Sequence, residues 1–103
     1  MQAKVIPFTC APSAEFLGRR LRELAADSTN LVFDHPHFSE RLRTRGLSMR
    51  HALETIREGN IIDGPKKDQW GDWRIKLSRL VSGRRVQVVV VYKGDHFVVV
   101  TII

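Results

Sequence analysis

The chain has 103 residues, 43% of them apolar and 27% charged, with 17 Lys and Arg against 11 Asp and Glu for a formal net charge of +6. That length supports one hydrophobic core and excludes two, and an ordinary apolar fraction makes a soluble globular domain the expected class. The lone cysteine, Cys10, excludes an intrachain disulfide and suits the reducing cytoplasm. The apolar run at 88–92 is too short to cross a bilayer, and residues 1–8 lack the features of a signal peptide.

The positive charge is unevenly spread. Residues 1–30 carry four basic and three acidic side chains, residues 31–103 thirteen and eight, and Arg41, Arg43, Arg45 and Arg50 fall within ten positions. A focused cationic surplus concentrates anions such as nucleic-acid phosphates. Its plainer reading is a solvated basic face.

In chain order, Val5, Ile6 and Phe8 suggest a short strand at 3–8, interrupted by Pro7 and therefore at an edge. Pro12 marks a turn and Ser13 a helix cap. Phe16, Leu17, Leu21, Leu24 and Ala25 recur at helical spacing, so residues 14–26 read as an amphipathic helix. A brief apolar run at 31–33 leads into a second helix that starts at Pro36, contains Phe38 and Leu42, and stops at Gly46. Ser48 caps a third helix with Met49, Ala52, Leu53 and Ile56 on one face, ended by Gly59.

The period then changes. Ile61 and Ile62 suit a short strand before a loop at 64–67. Trp73, Ile75 and Leu77 alternate with Arg74, Lys76 and Ser78, which is strand spacing. A Ser82-Gly83 turn leads to a valine-dense strand at 85–92, apolar on both faces and therefore central, and a turn at 93–95 to a last strand at 97–103. The expected architecture is α+β, with helices packed on a four-stranded antiparallel β-sheet. It forms a single domain, 1–103, with 1–30 as an extension and 31–103 as the core.

His37, Arg41 and Arg45 are spaced i, i+4, i+8 and share one helix face beside the Phe38–Leu42 seam. If Arg74 and Lys76 open toward that rim, the two sets line one groove suited to phosphate, with hydroxyls from Thr101 and Tyr92. The plainer alternatives are a capping histidine at His37, surface pairing of Arg41 and Arg45 with Glu40 or Glu54, and a solvated strand face at Arg74 and Lys76. Trp70 and Trp73 read as core or edge-covering residues before base-stacking platforms. His51 and His96 read as ordinary surface residues. No phosphate-binding or dinucleotide motif is present, and His35 and His37 lack partners for a zinc site, so neither cofactor nor metal is expected.

Cations with a histidine suit metal-independent RNA cleavage. A base takes the 2′-OH proton, the oxygen attacks the adjacent phosphate, and cations hold the developing charge. His37 would act as base or acid, with Lys76 or Tyr92 as the less natural second group.

The stretch from His37 through Arg41, Arg45 and Gly46 to Ser48 resembles the "H-x3-R-x3-R-G-I/L-S" opening of a bacterial family called domain of unknown function 4258. Residues 56–62 resemble its helix–glycine–strand step, and residues 73–80, 84–92 and 98–103, with Thr101 in the last strand, resemble its closing strands. The resemblance covers about residues 34–103. That family is similar to the RelE-like toxins of the barnase–EndoU–colicin–RelE group. The resemblance implies helices on a four-stranded antiparallel sheet, and makes His37, Arg41, Arg45 and Thr101 the motif positions.

The expected function is therefore a toxin-like, metal-independent ribonuclease with His37, Arg41, Arg45, Arg74, Lys76 and Thr101 at its site. Its partners would be RNA, including ribosome-associated mRNA, and an antitoxin protein, with no membrane and a monomeric or homodimeric state. The alternatives are a non-catalytic RNA- or protein-binding module on the same fold and a DNA-binding protein whose third helix presents Arg50, His51, Glu54 and Arg57.

Overall fold

The computed structural model describes residues 12–34 and 37–103. The strand expected at 3–8, Cys10 and the proposed helix start at Pro36 lie outside the described residues. Three helices, α1 (Ala14–Ala25), α2 (His37–Arg45) and α3 (Met49–Glu58), accompany five strands: β1 (Leu31–Phe33), β2 (Asn60–Lys67), β3 (Trp73–Val81), β4 (Arg84–Tyr92) and β5 (Phe97–Ile102).

Each helix begins and ends for a local reason. The Ser13 Oγ accepts the Phe16 amide at 2.9 Å and starts α1, while Arg57 Nε donates to the Ala25 carbonyl at 2.9 Å and closes it. At the end of α2, Gly46 takes φ +67°, a left-handed conformation that favours glycine. The Gly46 and Leu47 amides turn back to the Arg43 and Leu42 carbonyls at 3.1 and 2.9 Å. Arg84, from β4, then donates to the Arg45 and Gly46 carbonyls at 2.6 and 3.0 Å, a cation on the negative end of the helix dipole. At α3 the Ser48 amide donates to His51 Nδ1 at 3.0 Å, so His51 closes a capping arrangement and is more than an ordinary surface residue.

The helices bury Leu17 and Leu21 from α1, Phe38 and Leu42 from α2, and Ala52 and Ile56 from α3 against one side of the sheet. The sheet answers with Ile75 and Leu77 of β3, Val86, Val88 and Val90 of β4, and Phe97, Val99 and Ile102 of β5. Each large side chain so buried contributes roughly 1.5–3 kcal/mol.

The strand order is β1-β5-β4-β3-β2. The valine-dense β4 sits in the middle, as its two apolar faces require. The sheet is nonetheless five-stranded and mixed, and the expectation of four antiparallel strands is corrected by β1. Leu31–Phe33 pairs in parallel with β5, Leu31 opposite Phe97 and Phe33 opposite Val99. The extra strand is short because a turn at Ser28–Asn30 precedes it and Asp34 leaves it for α2.

A second correction concerns β2. The segment 64–67, expected as a loop, continues the strand to Lys67. Two register shifts against β3, between Ile61 and Asp63 and between Asp63 and Lys66, absorb the Gly64-Pro65 step. Proline is tolerated there because β2 is an edge strand.

Candidate functional site

Side chains alternate across a strand, so the register divides every cation of β3 between two faces. Ile75 and Leu77 face the helices, and so does Arg79, whose guanidinium reaches Glu54 and Glu58 of α3. Arg74, Lys76 and Ser78 therefore face away from the helical layer. Their cross-strand partners share that open face: Val91, Val89 and Gln87 on β4, and Lys66, Asp63 and Asn60 on β2. Thr101 lies opposite Val89 and so belongs to the same face, two strands and roughly 10 Å from Lys76.

A shallow cleft of about 240 Å³ opens on this face, lined by Asp63, Gly64, Lys66, Arg74, Ile75, Lys76, Val89 and Ile103. Gly64 makes it, with φ +93° and a backbone so close to β3 that an added Cβ would stand 2.5 Å from the Arg74 carbonyl oxygen. The walls carry three cations and one carboxylate. Lys66 Nζ binds Asp63 at 3.1 Å, and that ammonium is the main reason the Asp63 carboxyl is held below its ordinary range. The Arg74 and Lys76 side chains make neither a hydrogen bond nor a salt bridge to any described residue, although through space Arg74 acts on Asp68 and Lys76 on Asp63. The cleft thus offers two half-buried cations outside any ion pair over an apolar floor, a combination suited to an anion with an attached organic group.

The helical half of the expected groove lies elsewhere. α2 packs on β5 from the helix side, and the cleft spans β2, β3 and β4 on the other. His37, Arg41 and Arg45 are therefore separated from Arg74, Lys76 and Thr101 by the sheet itself, and the six residues do not share one groove. His37 and Arg45 are exposed, while Arg41 is half-buried with its Nε buried and unbonded among the described residues. Glu54 is taken by Arg79, so it does not pair with the stripe. Tyr92, considered as an acid–base partner, also faces the helices, its ring 6.3 Å from Phe16 and 5.0 Å from Phe97.

Strand parity carried the signal for this division, because residues alternating with core-facing Ile75 and Leu77 cannot face a helix in a two-layer fold. Asp63, Lys66 and Ile103 were not anticipated at the cleft. Gly64-Pro65 was the available clue to an irregular edge. Among the described residues no group of three or more His, Cys, Asp or Glu side chains stands ready for a metal ion, and no helix is long and apolar enough to cross a membrane.

Residues 35–103 match the family described as Domain of unknown function (DUF4258). The chain belongs to that family. The DUF4258 match contains α2, α3 and β2–β5, whose strands are all antiparallel, while α1 and the parallel strand β1 precede it. No curated protein and no solved structure matches the chain.

Proposed function

We propose that the domain holds RNA by its phosphate backbone on the open face of the sheet, on a RelE-like scaffold. The observation that carries this reading is the Arg74–Lys76 pair, two cations on one strand face in a concave site, neither held in an ion pair among the described residues. Thr101 and Gln87 extend the face with a hydroxyl and an amide group. The resemblance to the RelE-like group points to the same ligand class.

Strand scission is the stronger form of this reading, and the cleft equips it poorly. Cleavage by 2′-OH attack needs a base with a pKa near the working pH. His37 and Tyr92 lie on the helix side, and the carboxylate lining the cleft, Asp63, is made less basic by Lys66. The binding role is therefore the better supported.

Incubating the protein with total RNA in EDTA tests both forms. The expected result is retention of RNA that weakens steeply with salt, with no strand scission. Fragments bearing 2′,3′-cyclic phosphate, absent with Arg74→Ala/Lys76→Ala, would establish a metal-independent ribonuclease. Failure of the wild type to bind or cut any RNA would refute the proposal.

A further inference from the structure

The β2–β3 connection displays a tryptophan that the fold does not use. Trp70 is 71% exposed, more than any other large apolar side chain among the described residues. A tryptophan left in water forgoes one of the largest burial gains available to a side chain. Nor is the loop loose. The Asp68 amide donates to the Asp72 carbonyl at 2.8 Å, and the Gly71 amide to the Asp68 carbonyl at 3.1 Å. One oxygen of Asp68 also accepts the Trp70 and Asp72 amides, at 3.0 and 2.9 Å. Asp72 is tied in turn to Lys93 on the neighbouring turn. The backbone on either side of Trp70 is fixed, so the loop needs little further ordering on binding.

Charges of both signs flank it. Lys67 enters the loop with its ammonium 5.7 Å above the ring of Trp73. Arg74 leaves it one residue after Trp73 and lines the cleft. The loop's own carboxylates are engaged, Asp68 by two amides and, through space, by Arg74 and Lys93, and Asp72 by Lys93. Trp70 and Arg74 are four positions apart, so their Cα atoms lie within roughly 14 Å, a span that a short stretch of single strand covers.

We infer that Trp70 is a stacking platform for an unpaired base of single-stranded RNA whose adjoining phosphates rest on Arg74 and the cleft. This rests on the RNA-binding reading and deepens it by naming the strand form. Bases inside a duplex are already stacked and face inward, whereas an unpaired base offers its face to an aromatic ring. Stacking of this kind is tolerant of sequence, because every base has such a face.

The test is binding of a labelled oligoribonucleotide, alone and annealed to its complement, by wild type, Trp70→Ala and Trp70→Phe. The single strand is expected to bind more tightly than the duplex. Trp70→Ala should weaken single-strand binding about 5- to 150-fold and leave duplex binding unchanged, and Trp70→Phe should restore most of the loss. Unaltered single-strand binding by Trp70→Ala, or equal affinity for the two strand forms, would overturn the inference and leave backbone binding intact. Binding of neither form by wild type would sink the RNA-binding reading and this inference with it.

Discussion

Strand β3 carries cations on both faces, and the two faces treat them differently. On the helix side Arg79 is clamped, its Nε 2.9 Å from Glu54 and its outer nitrogen 3.1 Å from Glu58. On the open side the Arg74 and Lys76 side chains form no ion pair among the described residues and act on Asp68 and Asp63 only through space. Arg79 is itself only half-buried, and what distinguishes it is that α3 sets two carboxylates within reach of its guanidinium. A charge on an uncovered face stays partly hydrated and remains available to a ligand. Other arginines are held by neutral acceptors, Arg57 and Arg84 by helix-end carbonyls and Arg85, on the open face, by the Ser78 hydroxyl.

Substitutions can break or sharpen this contrast. The largest effect is expected in the core shared by helices and sheet. Phe38→Ala, at a fully buried site, should cost about 3–5 kcal/mol in denaturant unfolding. Next comes Arg79→Ala, which leaves Glu54 and Glu58 facing each other without their cation. It should cost about 1 kcal/mol and leave RNA affinity unchanged. Arg74→Ala/Lys76→Ala should invert that pattern. Unfolding should move by no more than about 0.5 kcal/mol, while the slope of log affinity against log salt for single strands falls by about 1.4, for two lost phosphate contacts.

The smallest effect is expected from Asp63→Asn. Because Lys66 holds the Asp63 carboxyl below its ordinary range, its contribution to stability is present above the pKa of the unfolded chain and is lost as pH falls through the lower folded-state value. Wild type should therefore be slightly more stable than Asp63→Asn at pH 7, and the two stability curves should converge below about pH 4. Curves that stay parallel into acid would show that the Lys66 pair contributes nothing.

Much of the fold was legible because its signals are local. Ser13, Gly46 and Ser48 mark helix ends through hydrogen bonds made within a few residues. The alternation of β3 and the Ser82-Gly83 turn fix the β3–β4 hairpin. What escaped depends on distant partners. Three residues, Leu31–Phe33, carry too little periodicity to declare a strand, and their parallel pairing with β5 joins segments far apart in sequence. Gly64-Pro65 reads as a loop until β3 supplies a strand against which it can bulge. The candidate site divided for a comparable reason. Helical spacing grouped His37, Arg41 and Arg45 correctly, and strand spacing grouped Arg74 with Lys76, but neither period says which side of the sheet the other group occupies. The core-facing position of Ile75 decides that.

The central claim is that RNA engages the open face of the sheet and not the arginine stripe of α2. The most direct test is a salt titration of single-stranded RNA binding in EDTA, comparing wild type with Arg74→Ala/Lys76→Ala and with Arg41→Ala/Arg45→Ala. The account predicts that the strand variant loses affinity and salt dependence while the helix variant keeps most of both. Loss in the helix variant with an intact response in the strand variant would contradict it and move the RNA to the helical layer.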